Sequence, residues 1–509
     1  MQKQSIFLII ALLLSLTVCG NPGRNSNFNS GKEPGFTVQP GMTLVGRISD
    51  DAGCPINGIA VCDGYTRVKT DSNGIYQIRA NRAATMVWIS TPAEYEIPTK
   101  NGLAAFYTQL KNTEGIERHD FILKRCPKKC RFTLVMLADT HDQKIARLDK
   151  DMPLIAAYAN TMPEPRYAII LGDLMQDVNF FSAYSTYLNQ LQMPILTVIG
   201  NHDYDRTIHD NDLLADDIYE EYYGPRFWSH DIGDCHFIGL DNVHFEDESG
   251  TKSRYWGEVD ELQLEWLRQD LQDVPKDKLI VLCSHIWMLQ CRNYNKVFDM
   301  LKGYKVETLS GHSHSNKFRT VNKDIHMTKI ASVMGINWDD IKICPDGSPR
   351  GFAVMTFDQN RVADFRFKPT HHNENYQIRL YKGNEQQDLV ELDNKTGKPI
   401  NNIPVFKEYA NKIIVTIFAC DTRGKVYARE DSSAWKDITS TIKTDYEPLA
   451  FRLTEGPYMP PTRGRVEPSK NKEIYTYTPE SSTWKTIEIK YEDPFGKTYT
   501  ANIDNSPKK

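Results

Sequence analysis

The chain has 509 residues, 40% hydrophobic, 25% charged and 11% aromatic. That is a globular composition too long for one hydrophobic core, so two to four domains are expected. Lys+Arg 61 against Asp+Glu 66 leaves a net charge of -5, whereas a general nucleic-acid binder carries a broad basic surface, so no nucleic-acid partner is expected.

Residues 1–19 read as an export signal. Lys3 gives a short basic start, and Ile6 to Val18 is apolar except for Ser15 and Thr17. This run is shorter than the ~20 apolar residues of a membrane-spanning helix. It ends at Cys19-Gly20, which resembles a bacterial lipobox, with Leu16 three residues before the cysteine and Val18 where a small residue is usual. The protein is therefore expected outside the cytoplasm, in the periplasm or cell envelope of a bacterium. A lipid on Cys19 would be its membrane attachment; with an ordinary cleaved signal it would be secreted. Beyond Cys19 the number of cysteines is odd. Cys54 with Cys62, or Cys126 with Cys130, are candidates for oxidation after export. Cys126-Pro-Lys-Lys-Cys130 lacks a second Cys or His pair nearby, which disfavours zinc there.

Residues 20–41, rich in Asn, Gly, Ser and Pro, read as a flexible linker. From 42 to 125 short alternating runs separated by turn residues predict a small β domain. Leu44 to Ile48, Ile59 to Val61 and Ile75 to Ile78 are strand candidates, and Asp71-Ser72-Asn73-Gly74 is a turn signal. The order Gly46, Pro55 to Gly58, Asp71 to Tyr76 resembles small transthyretin-like β-sandwiches. Between 131 and 343 apolar strands alternate with helical stretches, the pattern of a layered α/β core. Its clearest helix is expected over 257–274, with Val259, Leu262, Trp266, Leu267 and Leu271 on one face. From 345 to 505 the chain is again strand-rich. Phe352 to Phe357 and Val362 to Phe367 read as a hairpin opening a C-terminal β domain.

Five apolar runs of the middle region end in metal-ligand types. Phe132 to Leu137 leads to Asp139-Thr140-His141, Tyr167 to Leu171 to Gly172-Asp173, and Ile195 to Ile199 to Gly200-Asn201-His202-Asp203. Leu279 to Cys283 leads to Ser284-His285, and Val306 to Leu309 to Gly311-His312-Ser313-His314. Sites of open α/β sheets form beyond the carboxyl ends of strands, so these five ends converge on one crevice. Glycine before Asp173, Asn201 and His312 fits sharp turns. Each residue alone has a bland explanation as a helix cap, a turn closer or a core histidine. Recurrence decides against it: of thirteen histidines, five directly follow predicted strands of one domain.

The series Asp139-x-His141, Gly172-Asp173, Gly200-Asn201-His202-Asp203, His285, Gly311-His312-x-His314 closely resembles the calcineurin-like metallophosphoesterase superfamily. The flanking regions resemble accessory domains of an exported bacterial branch. The resemblance implies a four-layer α/β/β/α core flanked by two β-sandwich-type domains. It also implies a metal-dependent hydrolase of phosphomonoester, phosphodiester or pyrophosphate bonds in a small phosphorylated substrate. By position, Asp139, His141 and His314 would hold one divalent ion and Asn201, His285 and His312 a second, with Asp173 bridging both. Carboxylate oxygen with imidazole nitrogen suits manganese, iron or zinc. His202 would be the general acid, with Asp203 orienting its ring and favouring its charged form. Tyr204, His244, Trp287 and Trp338 are candidates for the substrate pocket or for core packing. The alternative is a catalytically inactive surface binding protein on the same fold.

Overall fold

The computed structural model describes residues 36–111, 115–141, 145–208, 211–246, 254–335, 343–392, 399–455, 470 and 472–505. The export signal with Cys19, most of the linker, and Trp338 lie outside the described residues. Among the described residues no helix is long and apolar enough to cross a membrane.

Two mixed sheets make the centre. In the first, strands Arg131–Leu137, Arg166–Leu171 and Ile195–Val198 run parallel. Their near-continuous burial explains why they read as unbroken apolar runs: a strand covered on both faces has no polar side to alternate with. The second sheet orders Trp228–Ile232, Cys235–Gly239, Leu279–Cys283, Lys305–Ser310, Ile325–Lys329 and Lys317–Thr320. The four strands from Cys235–Gly239 to Ile325–Lys329 are parallel neighbours. Aromatic rings join the sheets: Phe132 stacks on Phe357 at 4.9 Å, and Phe237 of the second sheet lies 5.9 Å from Phe132.

The first sheet recruits chain from both sides of the middle region. Gly351–Asp358 pairs antiparallel with Arg131–Leu137, and Arg361–Pro369 pairs with Gly351–Asp358. The expected hairpin is therefore present, but it extends the central sheet instead of opening a separate C-terminal domain at 345. Its Phe352, Ala353, Met355 and Phe357 are buried in the same core as Phe132 and Leu134, and apolar side chains on both faces of the strand cannot be left to solvent. At the other edge Leu103–Ala104 pairs with Ile195, so the segment before 125 also contributes to this sheet.

Before it lie two small sheets. One joins Leu44–Asp50 to Ile75–Ile78 and Phe121–Leu123, and the other orders Arg67–Lys69, Ala60–Cys62, Met86–Ile89 and Tyr107–Gln109. The turn at 71–74 closes as the sequence suggests: Asp71 Oδ1 accepts from the amides of Asn73 (2.8 Å) and Ile75 (2.9 Å). After 370 two four-stranded sheets, centred on Ile413–Ile417 with Lys472–Tyr477 and on Lys425–Glu430 with Thr486–Glu492, share a core of their own. Cys126 and Cys130 form no disulfide.

The expected long helix is shorter, Glu261–Asp270. Tyr255–Gly257 is instead a strand paired with Val243–Phe245. Asp260 stops the helix at its start by accepting from the amide of Gln263 at 2.8 Å, and Pro275 disfavours its continuation.

Candidate metal centre

All five predicted strand ends meet at one place. Asp139, His141, Asp173, Asn201, His285 and His314 are buried, and His202 and His312 are partly exposed. The backbone there is held in a region that side chains rarely adopt: φ is +51° at Asp139, +53° at Asp173, +70° at His312 and +51° at His314. Such residues persist only where their surroundings over-determine them, and they cluster at functional sites. Two glycines are required by close approach. A Cβ on Gly172, itself at φ +81°, would lie 2.4 Å from His285 Nδ1, and one on Gly200 would lie 2.2 Å from the Asp173 amide nitrogen.

Hydrogen bonds fix which atoms face inward. His285 Nδ1 donates to the Leu171 carbonyl at 2.8 Å, so its Nε2 points to the centre. Around that nitrogen lie Asn201 Oδ1 at 3.1 Å, His312 Nδ1 at 3.2 Å and Asp173 Oδ1 at 3.3 Å. Likewise His314 Nδ1 donates to the Gly335 carbonyl at 2.7 Å, which leaves Nε2 turned towards Asp139 Oδ1 at 3.5 Å. His141 Nδ1 is 3.9 Å from Asp173 Oδ2 and is buried with no hydrogen-bond partner. Ligand atoms group as Asp139 with His141 and His314, and as Asp173 with His285 and His312, each set within 4.8 Å. A third set joins His141, Asp173 and His202.

This is a cluster of electron-pair donors with few protons between them, an unfavourable arrangement unless cations replace the missing donors. The titration behaviour has the same origin. Burial pushes the Asp139 carboxyl up to about 6. Burial also drives His312 down to about 3 and His141 well below the usual range, so both are unprotonated. At His285 burial opposes charge, but the Asp173 and Asp139 carboxylates and the Leu171 carbonyl together outweigh it and raise the group to about 9. A proton there occupies the place a cation would take, so metal and proton compete. Oxygen and imidazole donors without thiolate fit two borderline divalent ions.

His202 does not have the partner expected of it. Its Nδ1 accepts from Arg206 Nη2 at 2.6 Å, and its ring stacks on His141 at 4.4 Å. Asp203 does not touch the ring: Oδ1 accepts from the Leu174 amide and Oδ2 from the Gly200 amide, both at 2.8 Å. The expectation that Asp203 orients His202 and favours its charged form is thus corrected. Asp203 is fully buried where amides, not an imidazole, point at it, and burial pushes its own pKa up, with Asp173 adding to the shift. Burial outweighs the nearby Asp173 carboxylate and, with the Arg206 charge adding to it, lowers His202 to about 4.

Of the pocket candidates, Tyr204 is a core residue. It is buried and stacked on Phe245 at 5.4 Å, with its hydroxyl 2.9 Å from Asp241 Oδ2. Trp287 is buried as well, and His244 lies against Trp256 with Asp212 Oδ2 3.3 Å away. The sequence reading missed two residues beside the centre, Arg206 and Tyr255. Tyr255 is 40% exposed, and its ring meets His312 edge-on at 5.9 Å. Neither follows a core strand directly, so the strand-end signal passes over both.

Three family models match the chain: the N terminal of calcineurin-like phosphoesterase over residues 42–126, calcineurin-like phosphoesterase over 132–316, and the C terminal of calcineurin-like phosphoesterase over 334–499. No curated protein matches. Among solved structures, a dimetal phosphatase from Danio rerio is similar at 14% identity, covering 47% of this chain and 96% of its own, with a TM-score of 0.36. A purple acid phosphatase from yellow lupin (Lupinus luteus) seeds is 11% identical over 62% of this chain and 67% of its own, with a TM-score of 0.35. A 5'-nucleotidase from Candida albicans is 13% identical over 47% of this chain and 52% of its own, with a TM-score of 0.31.

Proposed function

This chain belongs to the calcineurin-like phosphoesterase family and is a metal-dependent phosphoesterase, and from that premise we propose which residues perform the reaction and where. The observation that carries the reading is the crowd of donor atoms around His285 Nε2, with Asn201 Oδ1, His312 Nδ1 and Asp173 Oδ1 within 3.3 Å. Asp139, His141 and His314 would hold one divalent ion, and Asn201, His285 and His312 the other. Asp173 would serve both, since Oδ1 faces His285 and Oδ2 faces His141. Manganese, iron and zinc fit this donor set. When bound, such ions polarise a phosphoryl group and acidify a water molecule.

The chain's own side chains then have separable tasks. The carbonyls of Leu171 and Gly335 fix the tautomers of His285 and His314, presenting Nε2 of each inward. The amide of His202 donates to Asp173 Oδ1 at 2.8 Å and that of His312 to Asp139 Oδ1 at 3.0 Å, orienting both carboxylates. His202 accepts at Nδ1, so its ring proton sits on Nε2, which we assign as the donor to the departing oxygen. Giving up that proton needs the doubly protonated ring, which the negative charge of a bound phosphate favours and which forms when Arg206 releases Nδ1. We take the two central sheets as the inner layers of a four-layer sandwich, with β-sandwich modules on either side, supported by the Phe132, Phe237 and Phe357 contacts.

We place this activity outside the cytoplasm, on a small phosphorylated substrate, because of Lys3, the apolar run to Val18 and the lipobox-like Leu16 to Gly20. The test is a screen of phosphomonoesters, phosphodiesters and pyrophosphates with manganese added, alongside elemental analysis. Turnover of at least one class with two metals per chain supports the assignment. A metal-free protein that turns over none would overturn it.

A further inference from the structure

Arg206 sits on the loop that leaves the metal centre, four residues beyond His202. Its Nη2 donates to His202 Nδ1 at 2.6 Å and reaches the Asn201 carbonyl at 3.4 Å. Its Nε is buried with no hydrogen-bond partner. No carboxylate among the described residues forms an ion pair with it, although Asp205 is its chain neighbour. Asp205 is turned away: Oδ1 accepts from the Thr207 amide at 2.9 Å and hydroxyl at 2.7 Å.

Another arginine of this protein shows what a purely structural role looks like. Arg226 is buried among three carboxylates, Asp216 at 3.3 Å, Asp241 at 3.2 Å and Asp260 at 2.6 Å. A guanidinium is always charged, and placing one out of water without an anion is unfavourable. Arg206 is partly buried beside the candidate metal centre, with Nε shut away from any partner, no carboxylate among the described residues paired to it and its fork of donors largely unused. The anion that matches a planar fork of N–H donors is a carboxylate or a phosphate. At a phosphoesterase centre it is the phosphate.

We propose that Arg206 is a substrate-binding residue that grips a terminal oxygen of a phosphomonoester, making this centre selective for monoesters over diesters. The inference rests on the phosphoesterase reading and narrows it. A monoester dianion offers a further unesterified, charged oxygen, whereas a diester replaces that oxygen with a neutral ester link. An unpaired positive charge next to two divalent ions rewards the more negative substrate. The bond to His202 Nδ1 links the two jobs, because the group that holds the phosphate also fixes the tautomer of the ring beside it. Tyr255 belongs to the same surroundings, lying edge-on to His312.

The experiment compares the metal-loaded protein with Arg206→Gln and Arg206→Lys on nitrophenyl phosphate and bis-nitrophenyl phosphate, and measures binding of inorganic phosphate by calorimetry. Arg206→Gln should lower kcat/KM for the monoester and weaken phosphate binding on the order of tenfold or more, with a much smaller loss on the diester. Arg206→Lys, which keeps the charge but not the fork, should recover part of both. Equal losses on both esters with phosphate affinity unchanged would overturn the inference and leave Arg206 as a positioning residue for His202. A glutamine variant that has lost metal while the lysine variant behaves as wild type in every assay would also overturn it. Should the wild type turn over neither ester, the activity reading fails on its own account, and phosphate affinity alone decides Arg206: a drop in the glutamine variant upholds it and no drop refutes it.

Discussion

The carboxylate of Asp203 reaches 29 residues back along the chain to accept the amide of Leu174 at 2.8 Å, and its other oxygen takes the amide of Gly200 at the same distance. One buried side chain thereby ties the turn that carries Asp173 to the turn that carries Asn201. Asp203→Ala leaves two buried N–H groups unsatisfied, at a cost of about 1–3 kcal/mol each. The variant should unfold at lower urea and hold less metal, and Asp203→Asn, which keeps one acceptor, should lie between it and the wild type. Unchanged unfolding midpoints and metal content in the alanine variant would show that the tie is dispensable.

Asp173 presents one oxygen to His285 and the other to His141, while Asp139 faces His314. Asp173→Asn should therefore reduce bound metal at both positions and abolish turnover, whereas Asp139→Asn should chiefly empty one. Elemental analysis of the two variants checks this. Two metals per chain and normal activity in Asp173→Asn would remove the bridging assignment.

His202 is coupled to the centre through its backbone amide and to Arg206 through its ring. His202→Asn should leave metal content nearly intact and lose the proton donor, a step worth ~10²–10⁴-fold in rate. An alkoxide leaves badly without a proton, and a nitrophenolate needs little help. Alkyl phosphates should thus suffer far more than nitrophenyl phosphates. Since His202 also lies within ligand distance of His141 and Asp173, loss of metal in this variant would mark it as a ligand instead.

A pH effect on stability is expected away from the metal centre. His236 is held between Asp231 Oδ1 and Asp270 Oδ2, each 2.8 Å away. Burial opposes its charge, but Asp270 and Asp231 outweigh burial and raise the ring to about 9. Arg67 from the N-terminal sheets shares Asp270 at 3.2 Å, Lys278 shares Asp231 at 2.5 Å, and His230 nearby is kept neutral by burial. A raised folded value means stabilisation that is complete below the unfolded value of about 6.5 and lost as pH rises through about 9, on the order of 3 kcal/mol. Urea midpoints between pH 6 and 10 should fall in the wild type and fall less in His236→Asn. Parallel pH profiles would count against this account.

How much was legible in the sequence differs from element to element. The blocks Gly172-Asp173, Gly200-Asn201-His202-Asp203 and Gly311-His312-Ser313-His314 announce themselves because a buried strand is a short apolar run and the residues that follow it are its carboxyl end. Both signals lie within about ten residues of chain, so local chemistry determines them. The same holds for the 71–74 turn and for the pairing of Gly351–Asp358 with Arg361–Pro369. What that hairpin joins is not local. Its antiparallel pairing with Arg131–Leu137 spans more than two hundred residues and follows from which apolar faces must be covered together. The partners of Asp203 and the direction of Arg206 were equally beyond reach. A carboxylate next to a histidine in sequence suggests a pair, yet packing turned Asp203 onto two amides and gave the ring an arginine. The sequence by itself determined the residue types that reach the metal centre. Only the tertiary structure decided which donor each of them faces, because a hydrogen bond depends on position in space and not on distance along the chain.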